Sequence, residues 1–220
     1  MHETVKEEIL GFPRVYNLWQ FISGGTKANS TILHENIDFN TDCSIIDFGC
    51  GTASYLSLLP PSINYWGCDG NAKYIKYASK KFLKAKFFAA KFDGSGILIP
   101  PPNLPSFDYA LAFGVFHHLD DESAISLLMS AARLMKPSGY FISIDLVRKS
   151  SQNIITKFLN DHDRGKHIRY SSEYAVLAKS VFMDVNKSIR SDLMVFPLDL
   201  LIMKCSGINS SESISVSLVP

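Results

Sequence analysis

Ser44-Ile45-Ile46-Asp47-Phe48-Gly49-Cys50-Gly51-Thr52-Ala53-Ser54-Tyr55 reads as an apolar strand ending in an acid, a loop with two glycines, and residues able to start a helix. Glycine lacks a Cβ, so Gly49 and Gly51 let the chain turn sharply and let a ligand approach the main chain. The first N–H groups of a helix starting here would be donors in a positive local field. Such strand–turn–helix loops bind dinucleotides and other nucleotide-containing cofactors, and many glycine pairs only make turns. The loop therefore gains its meaning from the segments downstream of it.

Asn64-Tyr65-Trp66-Gly67-Cys68-Asp69 reads as a second strand that again ends in an acid, followed by Gly70. An acid about 20 residues beyond a glycine loop, at a strand end, is placed to accept hydrogen bonds from ribose hydroxyls. Asn71 is a good cap for the helical pattern beginning at Ala72, which leaves Asp69 for a ligand. Lys86-Phe87-Phe88-Ala89-Ala90 reads as a third strand, with Phe92-Asp93-Gly94 after it. Asp93 has the place of a ligand-contacting acid, and Asp-Gly is also a common turn pair. Phe107 to Phe113 is a fourth strand, running into Gly114-Val115-Phe116-His117-His118-Leu119. Met135-Lys136-Pro137-Ser138-Gly139 is a turn, and Tyr140 to Asp145 a fifth strand.

These segments, in this order and spacing, resemble the class I S-adenosylmethionine-dependent methyltransferases. Asp47, Gly49 and Gly51 match the Asp/Glu-x-Gly-x-Gly first motif, and the strand ending in His117-His118-Leu119 resembles ubiquinone/menaquinone-type C-methyltransferases and their relatives. The resemblance covers roughly residues 42–146. It implies a Rossmann-like α/β fold: a mainly parallel seven-stranded sheet with helices on both faces and a C-terminal antiparallel hairpin. It implies S-adenosylmethionine as cofactor, held by Asp47, Gly49, Cys50, Gly51, Asp69, Gly70, Asp93, Phe113 and Gly114, with Asp93 at the adenine amino group. Ala53 stands where the first motif often has a third glycine, and Ser138 replaces the first glycine of a Pro-Gly-Gly turn. Alanine is small enough to keep the cofactor's access.

The 220 residues suffice for one well-buried domain, and 46% hydrophobic with 12% aromatic residues fits a globular core. A net charge of +1 gives no electrostatic argument for nucleic acid or membrane partners. No apolar run approaches the roughly 20 residues that span a bilayer. The first residues show no basic-then-apolar leader, so a cytoplasmic location is expected. Cys43, Cys50, Cys68 and Cys205 form no C-x-x-C pair, which argues for reduced thiols and against a structural zinc site.

Alternating strands and helices argue for a parallel sheet. Ala124, Leu127, Leu128, Ala131 and Met135 recur at helical spacing between Asp120-Asp121 and Pro137. Pro100-Pro101-Pro102 and Pro105 make a stiff connection into the fourth strand. Residues 1–40 are expected to form an N-terminal helical lid. Arg14 to Ile22 is an amphipathic helix broken at Ser23-Gly24-Gly25, whose Tyr16 and Trp19 either face the pocket or pack on the sheet. Residues 41–205 are the core, with 150–180 as an acceptor-site insertion, and 206–220 are a serine-rich tail. Helices are expected near 154–159 and 174–178, the latter capped by Ser171 or Ser172. Strands are expected within 181–194 and 198–204.

Methyl transfer from a sulfonium needs alignment and water exclusion rather than a protein nucleophile, and orientation can supply on the order of 7–11 kcal/mol. A base helps where the acceptor loses a proton, and His117 and His118 are the catalytic candidates, His117 first. Arg164, Lys166 and Arg169 could recruit an anionic acceptor. His162, His167 and the neighbouring aspartates match no metal-ligand spacing, so no metal is expected. The absence of an Asn/Asp-Pro-Pro-Tyr/Phe motif after the fourth strand lowers the expectation of a nucleic-acid acceptor. The acceptor is expected to be a small molecule, with transfer to O, N or C and the oligomeric state open. The competing readings are a nicotinamide-dependent oxidoreductase, opposed by the incomplete G-x-G-x-x-G, and a non-catalytic cofactor-binding protein that kept the fold.

Overall fold

The structure, a computed structural model, describes residues 12–39, 42–90, 104–163 and 165–209. Seven strands form one sheet: β1 (Ser44–Phe48), β2 (Asn64–Asp69), β3 (Lys86–Ala89), β4 (Phe107–Phe113), β5 (Met135–Leu146), β6 (Phe182–Arg190) and β7 (Leu200–Ile208). Their order is β3-β2-β1-β4-β5-β7-β6, and β7 alone runs antiparallel to its neighbours. The chain winds outward from β1 to β3, then crosses to β4 and winds the other way. The switch therefore falls between β1 and β4, and ligands of open α/β sheets bind at the carboxyl ends of strands at such a point.

The helices are α1 (Pro13–Ser23), α2 (Gly25–Asn36), α3 (Ala72–Lys81), α4 (Asp121–Leu134), α5 (Ile154–Asp161) and α6 (Ser171–Lys179). Two apolar layers sandwich the sheet. On one face Ile32 and Leu33 of α2 and Ala78 of α3 pack over Ile45, Leu111 and Ile142. On the other, Leu127 and Leu128 of α4 and Tyr174 of α6 pack over Phe107, Phe141 and Phe182. Each fully buried side chain of this size contributes about 1.5–3 kcal/mol. β1 is buried at all five positions, which is why it reads as an almost unbroken apolar run.

Several expected boundaries shift for local reasons. No α-helix follows the glycine loop; a single 3₁₀ turn, Ser54–Leu58, takes its place. Pro60 and Pro61 come directly after it, and a proline disfavours helical backbone in the residue before it. β5 starts at Met135, not Tyr140, because Met135 pairs with Phe107 ahead of a register shift. Gly139 lies within that irregular stretch, where a Cβ would be 3.0 Å from the carbonyl oxygens of Asp108 and Lys136. α6 is capped not by a serine but at Tyr170, whose N–H donates to Glu173. β7 runs to Ile208, so the core extends past the expected boundary at 205. The tail from 210, the Pro100–Pro102 connection and Asp93 lie outside the described residues.

Candidate active site

Two adjoining cavities open at the carboxyl ends of the central strands. The first, about 290 Å³, is walled by Gly49 and Gly51 after β1, Asp69 at the end of β2, and Phe113 and Gly114 at the end of β4. Asn71, Tyr74 and Tyr16 complete it, with the Tyr16 and Tyr74 rings 5.0 Å apart. Asp69 is held in the loop it was expected to serve: Oδ2 accepts from Gly51 N at 2.9 Å and Oδ1 from Asn71 N at 2.7 Å. Burial pushes its pKa up, and the two backbone donors oppose that. Asn71 caps α3 through Lys73 N, as its place in the sequence requires.

Gly51 adopts φ +56, and a Cβ there would stand 3.2 Å from the Tyr16 ring. Gly114 adopts φ +71, and a Cβ there would meet within 4 Å only His117 Cε1, at 3.7 Å, among the described residues. It would thus project into open cleft. The floor is a cradle that side chains would fill.

The second cavity, about 200 Å³, shares Tyr16, Phe113, Gly114 and His118 with the first. It extends under α1 to Trp19 and across to Met194, Phe196 and Leu198. One pole is polar. His117 Nδ1 lies 2.9 Å from Asp145 Oδ1, and His117 N donates to the same oxygen at 3.3 Å. A carboxylate accepts, so Nδ1 carries the proton and the Nε2 lone pair is left for the cavity. Asp163 Oδ1 is 3.6 Å from Nε2, beyond hydrogen-bond distance, and accepts from Gly165 N instead. Burial pushes the Asp145 pKa up, and the hydrogen bond and charge of His117 pull it back. Asp145 Oδ2 has no hydrogen-bond partner among the described residues.

The turn Phe116–His118 that carries both histidines is fixed from below. Arg169 is buried, and its five N–H donors are all used: two on Asp121 and one each on the carbonyls of Phe116, Leu119 and His167. His167 N donates to His117 O at 3.0 Å. A Cβ on Gly165 would overlap the His117 ring, so only glycine lets this segment close on the histidine.

The expected residues divide accordingly. Gly49, Gly51, Asp69, Phe113, Gly114 and His118 line the first cavity, and His117 lines the second. Both histidines line the cleft. Asp47 and Cys50 do not line either cavity; they border a pinhole beneath the loop. Asp47 is buried and accepts from the hydroxyls of Tyr55 and Tyr65, with burial raising its pKa to about 7 against those bonds. Burial likewise pushes up the Cys50 thiol, with Asp47 and Asp69 adding to the shift. Gly70 is exposed and outside the cavities. Arg169 is not an anion receptor, its donors being spent on the fold, and Lys166 is exposed away from the second cavity. Arg164 lies outside the described residues. Asp145 and Asp163 were missed as site residues. Asp145 is unremarkable until β5 lies beside β4, although its place at a strand's carboxyl end was a signal, and Asp163 reaches the site from the loop after α5. His117, His118 and Asp163 bring potential metal-ligand atoms within 4.8 Å of one another, a cluster not expected from spacing.

A family model described as a methyltransferase domain matches residues 46–141, the segment from β1 through β5 that carries the glycine loop and the histidine turn. Those residues are similar to a methyltransferase domain, and the fold is shared with S-adenosylmethionine-dependent methyltransferases. A curated relative, the tRNA (carboxymethyluridine(34)-5-O)-methyltransferase of Arabidopsis thaliana, is 31% identical over 121 residues, 52% of this chain and 27% of that protein. The chain thus spans about a quarter of the length of the curated relative it matches. A TehB-like SAM-dependent methyltransferase from Corynebacterium glutamicum superposes with TM-score 0.56 at 16% identity, over 82% of this chain and 87% of that one. Human N-acetylserotonin methyltransferase in complex with SAM gives 0.62 at 18%, over 89% and 55%. At these identities the likeness is one of fold. The methyltransferase cofactor fits the first cavity: three glycines in the left-handed region, Gly49, Gly51 and Gly114, line it without side chains, and Asp69 retains carboxylate lone pairs there. Among the described residues no helix is long and apolar enough to cross a membrane.

Proposed function

We propose that this protein transfers a methyl group from S-adenosylmethionine to the hydroxyl oxygen of a small molecule bound in the second cavity. The observation that carries this is the His117–Asp145 pair, which turns an Nε2 lone pair toward a cavity adjoining the cofactor cleft. When bound, S-adenosylmethionine supplies a methyl group on a positively charged sulfur, so the chain needs no nucleophile of its own. Gly49, Gly51 and Asp69 hold the cofactor, with Asp69 toward the ribose. His117 Nε2 accepts the hydroxyl proton as the acceptor oxygen becomes the nucleophile, and passes it on to solvent. Asp145 fixes the tautomer and stabilises the imidazolium. An amine with a free lone pair would not need this pair, which favours oxygen as the receiving atom. Arg169 and Gly165 hold the histidine turn in register. α1, through Tyr16 and Trp19, acts as the lid that excludes water, and Asp163 stands on the acceptor side.

The test is a transfer assay with labelled S-adenosylmethionine against matched alcohols, phenols and amines. Hydroxyl compounds are expected to be methylated. His117→Ala is expected to lower turnover about 10²–10⁴-fold, with unchanged S-adenosylhomocysteine affinity. Full turnover in that variant would refute the assignment.

A further inference from the structure

The titratable groups of the second cavity gather at one end. Its remaining wall combines Phe113, Ile144, Leu146, Met194 and Leu198 with the neutral polar side chains of Gln20, Ser23 and Asn29, and Trp19 and Phe196 stack at 6.0 Å and 19° across its mouth. A pocket of this composition removes apolar surface from water and fixes orientation through a few convergent polar groups. At about 200 Å³ it is smaller than the roughly 300–1,000 Å³ of pockets for drug-sized ligands. It takes one ring with short substituents. The polar end holds His117, His118, Asp145 and Asp163, and no lysine or arginine lines the cavity among the described residues. A carboxylate or phosphate brought here would meet two acids and find no cation, and burying an unpaired charge is strongly unfavourable.

We infer that the acceptor is a neutral, single-ring hydroxyl compound of phenol type, its ring under Trp19 and Phe196 and its hydroxyl at His117. This rests on the methyl-transfer reading above and narrows it. It reverses the expectation of an anionic acceptor, because Arg169 is committed to the histidine turn rather than to the cavity.

The experiment is a binding titration of the full chain, first with S-adenosylhomocysteine and then, with that ligand saturating, with 4-ethylphenol, 4-hydroxybenzoate and phenyl phosphate. The neutral phenol is expected to bind at least about tenfold more tightly than either anion. Trp19→Ala is expected to weaken 4-ethylphenol about tenfold, and Trp19→Phe to restore most of the loss, since a ring contact and its burial are removed and then largely replaced. S-adenosylhomocysteine affinity should be equal in all three proteins, which also reports that the variants are folded. An anion binding as tightly as the phenol, no phenol binding, or a Trp19→Ala variant indistinguishable from the parent would overturn the inference while leaving methyl transfer standing. Failure of S-adenosylhomocysteine to bind would overturn both.

Discussion

Asp47→Asn separates an anchor of the glycine loop from a ligand contact. The carboxylate lies in the interior, accepts from Tyr55 and Tyr65, and has its pKa raised from 3.8 to about 7, chiefly by burial. The folded state therefore keeps a proton that the unfolded chain has released over the interval between those values. The stability this confers is present below the ordinary carboxylate pKa and is lost as pH rises through about 7. From pH 5 to pH 8 the interval traversed is about two units, or about 3 kcal/mol at 1.36 kcal/mol per unit. The variant keeps an oxygen for the two phenols and has no charge to bury. Urea unfolding of both proteins at pH 5, 6, 7 and 8, followed by tryptophan fluorescence, gives the difference directly, and pH effects common to both cancel. The variant is expected to gain about 3 kcal/mol on the parent across that range, with cofactor affinity changed by less than about threefold at pH 6. A difference constant within about 1 kcal/mol would refute the buried-acid account. A large loss of affinity with unchanged stability would return Asp47 to the binding site.

Gly51→Ala forces a side chain into φ +56 and toward Tyr16, so it is expected to cost about 1–2 kcal/mol in unfolding experiments and to weaken S-adenosylhomocysteine at least about tenfold. Arg169→Ala removes the side-chain donors to the Phe116, Leu119 and His167 carbonyls and is expected to cost about 2–4 kcal/mol. Arg190→Ala, which breaks an exposed contact to Glu35 and Asp192, should not move the denaturation midpoint measurably.

The central strands were legible because burial on both faces leaves them almost no polar positions: β1 and β4 show it in Ile45, Ile46, Ala110 and Leu111, all fully buried. The glycine loop and Asp69 were legible because their geometry is local, fixed by residues between β1 and the start of α3. The rest of the site depends on pairings that spacing alone does not reveal. His117 and Asp145 stand 28 residues apart and meet only because β4 and β5 are neighbours. Asp47 looked like a ligand contact because its partners are ordinary tyrosines until the 3₁₀ turn folds Tyr55 back and β2 pairs with β1 to bring Tyr65. Arg169 looked like an anion receptor because nothing in its neighbourhood shows that carbonyls some 50 residues earlier consume its donors. The short 3₁₀ turn after the loop was readable in principle from Pro60-Pro61.

Calorimetric titration of the purified protein with S-adenosylmethionine and S-adenosylhomocysteine, beside Asp69→Ala and with NADH as a third ligand, bears most directly on the methyltransferase account. The account predicts binding on the order of micromolar for the first two, weakened at least about tenfold in Asp69→Ala, and no heat with NADH. Absence of binding by both sulfur ligands to a folded protein, or binding of NADH in their place, would contradict it.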